Sequence, residues 1–209
     1  MEQRSLCQNA RIKERYGRVN EIVGDGCWNL KPGETTDDTE MTICVLKGII
    51  ASPQNPIEEI GKEFLRWWET DPKDIGITVQ TAFNFYQGDW LQIAEKAHDE
   101  LDGKSAGNGT LMRCLPVALA YSDLQKINEI SALQSQMTHY DDLASEACVI
   151  YNRIASRLLN GEALNRPFRQ KSSITGTHQM GAAVRLPAGW ICRPHNGMGA
   201  LLAVVFKLI

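Results

Sequence analysis

The strongest constraint on the fold is the spacing of apolar residues, which repeats at the helical period from about residue 41 to residue 160. The clearest stretch ends in an Asn-Gly pair that is typical of a helix end, and it carries apolar residues three or four apart at Ala144, Ala147, Cys148, Tyr151, Ile154, Ala155 and Leu158. No segment before residue 170 alternates apolar and polar residues as a half-buried strand would. The pattern therefore predicts an all-α bundle, and a chain of 209 residues without internal repeats predicts a single domain over 1–209.

Capping and breaker residues predict where the helices begin and end. Helices are expected over 41–51, 56–70, 78–87, 90–102, 124–133 and 141–160. Asn55 is the expected N-cap of the second helix, with Pro56 at its first position, and Asp89 is the expected N-cap of the fourth. Pro116 lies inside the apolar segment 111–121, which is therefore either a kinked helix or a helix that starts later.

Charge and hydropathy exclude several classes of protein. A formal charge of −3 with a pI near 5.8 shows no overall attraction to nucleic acid. No apolar run approaches the roughly 20 residues of a membrane span, and the first ten residues are too polar for a secretory leader. The six cysteines form no C-x-x-C pair, and Cys44, Cys114 and Cys148 lie in apolar stretches. We therefore expect a reduced, cytoplasmic protein that binds neither nucleic acid nor membranes.

The first segment with candidate chemistry is acidic and covers residues 32–41. Asp37 followed by Glu40 fits a capping box at a helix N-terminus. Alternatively, the adjacent carboxylates of Asp37 and Asp38, with the hydroxyl of Thr36 beside them, offer the oxygen ligands that Mg²⁺ or Mn²⁺ prefers. The two interpretations are compatible, because one carboxylate can cap the helix while its neighbours bind a cation.

The second segment is the glycine-containing loop 105–113. Gly107, Asn108 and Gly109 precede an apolar helix, so backbone N–H groups there can approach an anion. Arg113 is positioned to add a bidentate phosphate contact. The alternative is an ordinary turn that starts a helix, and a P-loop is excluded because the Gly-Lys-Ser/Thr ending is missing.

The third segment is the pair Thr138 and His139, which lies just before the helix predicted at 141–160. His139 either belongs to the cap region or faces a cleft and bonds a ligand, with its pKa lowered by the helix dipole.

Taken in order, three motifs resemble the ADP-ribosylglycohydrolase family. They are Pro-Gly-Glu-Thr-Thr-Asp-Asp-Thr-Glu-Met at 32–41, Ser-Ala-Gly-Asn-Gly-Thr-Leu-Met-Arg at 105–113, and Thr-His at 138–139. The resemblance runs from about Gly26 to Gly161 and includes Asp-Pro-Lys-Asp-Ile-Gly at 71–76. It implies an all-α orthogonal bundle of the ADP-ribosylglycohydrolase type with a dinuclear Mg²⁺ or Mn²⁺ centre. It also implies hydrolysis of the bond between ADP-ribose and an acceptor on a protein or a small ADP-ribosyl compound.

The same resemblance assigns roles to individual residues. The implied metal ligands are Thr36, Asp37 and Asp38, and the carboxylates of Asp37 and Asp38 are the implied catalytic groups. The implied contacts to ADP-ribose are Gly107, Asn108, Gly109, Met112, Arg113 and His139.

Two departures from the family pattern shape the expected activity. Residues 1–26 lack the family's apolar, glycine-rich first helix, and the chain lacks the Gly-Gly-Asp-x-Asp-Thr motif that supplies the remaining metal ligands. We therefore expect a family domain that is incomplete at both ends. Three interpretations follow: an active metal-dependent hydrolase, an inactive remnant or ADP-ribose-binding module, and a structural helical protein without a ligand.

Overall fold

The computed structural model describes residues 28–162 and five isolated positions before them (Glu14, Gly17, Arg18, Glu21 and Gly24). This part of the chain is helical, and no β-strand occurs within it. The helices are α1 (Asp37–Ala51), α2 (Ile57–Trp68), α3 (Ile77–Asn84), α4 (Trp90–Glu100), α5 (Leu115–Ala120), α6 (Leu124–Gln136) and α7 (Asp142–Leu159). A single 3₁₀ turn, Asn108–Thr110, precedes α5. The predicted all-α class is confirmed, whereas the expectation about the two ends of the family domain lies outside the described residues.

Two helix pairs hold most of the core together. α1 packs along α2, and α6 packs along α7, with α5 filling the space between α1 and α7. The α1–α2 pair touches at Gly48, where an added Cβ would lie 2.5 Å from the backbone nitrogen of Ile60. A side chain at this position would separate the two helices, so the crossing requires glycine.

An aromatic cluster fixes α3 between α2 and α4. The ring of Phe83 on α3 contacts Trp68 of α2 and Trp90 of α4, with ring centroids 5.3 and 5.6 Å apart. Phe64 and Trp67 of α2 also pack edge-on or tilted against these rings. Because the N-terminus of α3 forms part of the cavity described below, this cluster sets the position of one cavity wall.

Several predicted helix ends are confirmed and others are corrected. Asp89 caps α4 as predicted, since its carboxylate accepts from Leu91 N and Gln92 N. Pro116 lies in the first turn of α5, which supports the later start. The N-cap of α2 is Pro56 and not Asn55, and α3 ends at Asn84 and not Gln87.

The predicted capping box at α1 is wrong. The N-cap is Thr36, which makes no capping hydrogen bond through its side chain, and Asp37 is the first helical residue. The carboxylate of Asp37 instead accepts a hydrogen bond from Gly76 N, 3.2 Å away at the N-cap of α3. The side chain therefore links two helices and does not close the end of its own helix.

The cysteines and the helices of the described residues match two expectations from the sequence, namely buried thiols and no membrane-spanning segment. Cys44, Cys114 and Cys148 are buried free thiols, as their apolar surroundings predicted, while the other cysteines lie outside the described residues. Among the residues that the structure describes, no helix combines the length and apolar character needed to cross a bilayer.

Candidate functional site

A cavity of about 400 Å³ brings together the three segments singled out in the sequence. The cavity is lined by the aspartates of the acidic segment, by the glycine loop and by the histidine: Asp37, Asp38, Gly107, Asn108, Gly109, Met112 and His139. Residues 74–79, which lead into α3, complete the wall. The volume lies within the range of about 300–1,000 Å³ that is usual for small-molecule sites. Residues as distant in the chain as Asp37 and His139 thus line one cavity.

The acidic wall is held by the starts of α1 and α3. Asp37 is 7% exposed, and burial together with the negative charges of Asp74 and Asp38 raises its pKa to about 6. Asp38 is exposed, and its carboxylate accepts a hydrogen bond from Thr36 Oγ1 at 3.3 Å. Three carboxylates therefore face one cavity, and their mutual repulsion favours a cationic ligand there.

The donor chemistry of this wall fits a hard cation in part. Carboxylate and hydroxyl oxygens of Thr36, Asp37 and Asp38 are suitable ligands for Mg²⁺ or Mn²⁺, and a bound cation would offset the repulsion that raises the pKa of Asp37. Between residues 28 and 162, however, no three His, Cys, Asp or Glu side chains form a complete metal-binding group. Among the described residues, the acidic wall therefore offers oxygen donors without a complete metal-binding group.

The opposite wall is formed by backbone, because the loop carries glycine where side chains would fill the space. A Cβ added to Gly107 would lie 3.4 Å from His139 Nε2, and one added to Gly109 would lie 3.1 Å from His139 Cε1. Asn108 lies between these glycines, and its Oδ1 is buried without a hydrogen-bond partner among the described residues.

His139 lies at the base of the cavity and is almost completely buried. Burial, followed by the positive charge of Arg113, lowers the pKa of His139 to about 3. The direction agrees with the sequence-based expectation, and its causes are burial and the charge of Arg113. The imidazole is therefore neutral at physiological pH.

A model of the family described as ADP-ribosylglycohydrolase matches residues 2–193 of the chain. The chain belongs to this family. Its relatives include ADP-ribosyl-[dinitrogen reductase] glycohydrolase of Rhodospirillum rubrum, 30% identical over 80% of this chain and 56% of the relative. ADP-ribosylarginine hydrolase Tri1 of Serratia proteamaculans (strain 568) is 28% identical over 72% of this chain and 42% of the relative. The human ADP-ribosylhydrolase ARH3 is 27% identical over 64% of this chain and 38% of the relative.

The family assignment confirms the resemblance stated from the three motifs. It also shows how much of a relative this sequence covers, since the chain spans about half the length of the curated relatives it matches or less.

Two predicted site residues, Thr36 and Arg113, do not line the cavity. Arg113 is completely buried. Its guanidinium lies 4.5 Å from the ring centroid of Phe64, and it donates to Gln134 Oε1, Gln134 O and Thr138 Oγ1. The geometry therefore corrects the predicted phosphate contact, because these bonds use the side chain inside the core.

The main site residues that the sequence argument missed are Asp74, Gly76 and Thr78. All three line the cavity, and Gly76 N holds the carboxylate of Asp37. The available signal was an acidic residue and a glycine immediately before a predicted helix, a combination that also occurs in ordinary loops. Only the placement of α3 against α1 brings these residues to the cavity.

Proposed function

We propose that this chain hydrolyses the bond between ADP-ribose and an acceptor side chain, on a protein or on a small ADP-ribosyl compound. The observation that carries the proposal is the cavity in which two aspartates of α1, the glycine loop and His139 meet. Family membership and the names of the relatives support an ADP-ribosyl linkage as the bond that is broken.

The loop and the histidine would bind the ADP-ribose part. Gly107 and Gly109 leave the backbone accessible from the cavity, and His139 presents a neutral ring at the base. Asn108, between the two glycines, also lines the cavity. These groups recognise a polar, uncharged or anionic ligand, and none of them is a carboxylate.

The aspartates would act at the bond that breaks. Cleavage of a glycosidic bond passes through an oxocarbenium-like state, whose positive charge is stabilised by nearby carboxylates. Asp37 is buried, so its charge would act through a medium of low polarity, while Asp38 is exposed and can contact the attacking water. Asp37 and Asp38 are accordingly the proposed catalytic residues.

We also propose that Thr36, Asp37 and Asp38 hold Mg²⁺ or Mn²⁺. When bound, such a cation supplies Lewis-acid activation of water and orientation of ribose hydroxyls. Because the described residues offer oxygen donors without a complete metal-binding group, calorimetry should show weak binding of Mn²⁺, lost in Asp37→Asn. Two tight sites, or unchanged binding in Asp37→Asn, would contradict this placement.

The function is tested with ADP-ribosyl-arginine as substrate, in the presence of Mn²⁺. Release of ADP-ribose is measured by chromatography, and binding of free ADP-ribose is measured by calorimetry on the same preparation. We expect release that falls by at least about 100-fold in Asp38→Ala, since a carboxylate that stabilises developing charge contributes several kcal/mol. Glu58→Gln removes one negative charge from α2 outside the cavity and serves as the matched control.

Two results would overturn the proposal in different ways. Binding of ADP-ribose without release would leave a binding module and refute the hydrolase. Absence of both binding and release would refute the assignment of the cavity to ADP-ribose.

A further inference from the structure

We propose that Arg113 and Thr138 are positioning residues that fix His139 as the tautomer with its proton on Nε2. His139 thereby presents a hydrogen-bond donor to the cavity and recognises an acceptor oxygen of the ligand. The part that concerns the ligand rests on the proposed function, whereas the tautomer itself does not.

The buried guanidinium of Arg113 can only donate hydrogen bonds. A guanidinium carries five N–H donors and no acceptor, so every polar atom that faces it must accept. Nε of Arg113 donates to Gln134 Oε1 at 3.0 Å, and Nη2 donates to Gln134 O at 2.7 Å and to Thr138 Oγ1 at 3.0 Å. Burial lowers the pKa of Arg113 to about 10, so the side chain keeps its charge at neutral pH.

The orientation of the Gln134 side-chain amide also shows that Arg113 is the donor. Its Oε1 faces Arg113, while its Nε2 donates to the carbonyl oxygens of Thr110 and Ser131. The amide therefore has only one orientation that satisfies both sides. Arg113 also pairs with no carboxylate in the region 28–162, so these neutral acceptors are its partners there.

The hydroxyl of Thr138 has a single proton, which can be donated to only one acceptor. Its oxygen accepts from Arg113, and it lies 2.8 Å from His139 Nδ1. If Nδ1 carried a proton, Thr138 would accept two N–H bonds next to a buried positive charge, and its own proton would need another acceptor. Donation from Thr138 to Nδ1 satisfies all three groups, and it leaves the imidazole proton on Nε2.

The Nε2 atom of His139 faces the glycine loop that lines the cavity. The ring edge that carries Nε2 faces Gly107 and Gly109. A Cβ added at Gly107 would lie 3.4 Å from Nε2, and one added at Gly109 would lie 3.3 Å from it. Both glycines line the cavity together with His139. The donor is therefore directed at the ligand-facing loop, where a phosphate or hydroxyl oxygen of the ligand would accept it.

The test measures the tautomer directly on the full chain without ligand. Protein labelled with ¹⁵N at histidine is examined by long-range ¹H–¹⁵N NMR at neutral pH, and the signals of His139 among the four histidines are identified by their loss in His139→Gln. We expect a protonated Nε2 and an unprotonated Nδ1. A protonated Nδ1 in the wild-type protein would overturn the proposal.

Matched threonine variants test the hydrogen-bond chain from Arg113 through Thr138 to His139 Nδ1, which is called the relay below. Thr138→Val removes the hydroxyl and should allow a fraction of His139 to carry its proton on Nδ1, whereas Thr138→Ser keeps the hydroxyl and should restore the single Nε2–H tautomer. Thr81→Val deletes a hydroxyl that donates only within α3 and is the control for the substitution itself. An unchanged tautomer in Thr138→Val would show that the relay does not hold the proton, since a merely structural role alters stability and not the ring proton.

Arg113→Met tests the first member of the relay, because it removes all donors while retaining a similar length. The tautomer should then become mixed, as Thr138 regains the freedom to accept from Nδ1. Retention of a single Nε2–H tautomer in a folded Arg113→Met protein would remove Arg113 from the relay.

Affinity for ADP-ribose separates this proposal from the proposed function. Loss of one hydrogen bond should weaken binding about three- to tenfold in Thr138→Val, with recovery in Thr138→Ser. The expected tautomer without any binding of ADP-ribose would support the relay and overturn the ligand assignment. Unchanged affinity in a Thr138→Val protein that has lost the tautomer would refute the role of His139 as a donor to the ligand.

Discussion

At the scale of single residues, the buried His139 should make the free energy of unfolding decrease as the pH falls. Its pKa is about 3 in the folded protein and close to 6.5 when the chain is unfolded. Below about pH 6.5 the unfolded chain therefore binds a proton that the folded protein does not bind. The free energy of unfolding should decrease by as much as about 1.4 kcal/mol for each pH unit between 6.5 and 3 because of this residue.

Denaturant unfolding of the wild-type protein and of His139→Gln at pH 7.5 and pH 5 checks this prediction. The variant should be less stable at pH 7.5. The difference in unfolding free energy between the two proteins should be smaller by about 2 kcal/mol at pH 5. Equal changes in both proteins between the two pH values would show that His139 is protonated in the folded state.

Gly107 is the residue at which a methyl group should interfere with the ligand and leave the fold intact. Its backbone angles, φ −79° and ψ 171°, suit alanine, and the new Cβ would lie 3.4 Å from His139 Nε2. Gly107→Ala should therefore change the unfolding free energy by less than about 0.5 kcal/mol and weaken ADP-ribose binding about tenfold or more. Calorimetry and thermal unfolding measure the two effects.

The comparison for this prediction is Gly76→Ala. Gly76 also lines the cavity, but a Cβ there meets no heavy atom within 4 Å. Its alanine variant should weaken binding less, and an equal loss in both variants would mean that reduced loop flexibility, and not coverage of His139, lowers the affinity.

At the scale of helices, the crossing of α1 and α2 depends on the absence of a side chain at Gly48. Alanine is a better helix former than glycine by about 1 kcal/mol, so propensity alone predicts a stabilising change. The Cβ would, however, lie 2.5 Å from both Ile60 N and Ile60 Cγ1, and the backbone atom cannot move without shifting α2. We expect Gly48→Ala to lower the unfolding free energy by about 2 kcal/mol or more.

Chemical denaturation of Gly48→Ala beside Lys47→Ala checks this expectation. The side chain of Lys47 is 61% exposed on the same helix, and its replacement should change stability by less than about 0.5 kcal/mol. A Gly48→Ala protein as stable as the wild type would mean that the two helices separate at little cost.

The helices were predictable from the sequence because burial imposes a regular spacing on apolar residues. The ends of the helices were less predictable, since neighbouring residues can each occupy the N-cap or the last helical position. Pro56 and not Asn55 caps α2, and α3 ends early because the N–H groups of Phe85 and Tyr86 bond to carbonyls three residues back, as in a 3₁₀ turn.

The site was predictable where its motifs are local and unpredictable where packing decides. The acidic pair, the glycine loop and His139 were identified from motifs, and the structure brings them to one cavity. Arg113 follows the loop as a phosphate-binding arginine would, but its direction is set by Phe64, Gln134 and Thr138, which are distant in sequence. A motif read along the chain contains no information about those partners.

At the scale of the whole molecule, the cavity joins four segments that no single helix connects. They are the start of α1, residues 74–79, the loop 106–112 and His139. A ligand that contacts all of them should restrain them together. We expect ADP-ribose to slow amide hydrogen exchange in all four segments and to leave the middle of α2 unchanged.

Hydrogen exchange followed by mass spectrometry checks this prediction on the full chain. Asp38→Ala with ADP-ribose shows whether the acidic wall takes part, because protection should then be reduced at residues 36–40 and retained at the loop. Protection confined to one segment would place the ligand outside the shared cavity.

The contact between α1 and the aromatic cluster has an optical consequence. Trp67 Nε1 donates to Glu40 Oε2 at 2.7 Å, and Glu40 lies in the same first turn of α1 as Asp37. Tryptophan emission shifts with the charge and polarity around the indole ring, and this ring is 7% exposed. A change of charge at the acidic wall therefore reaches a fluorophore that is one helical turn away, so the intrinsic emission of the protein carries a signal of what occupies its cavity.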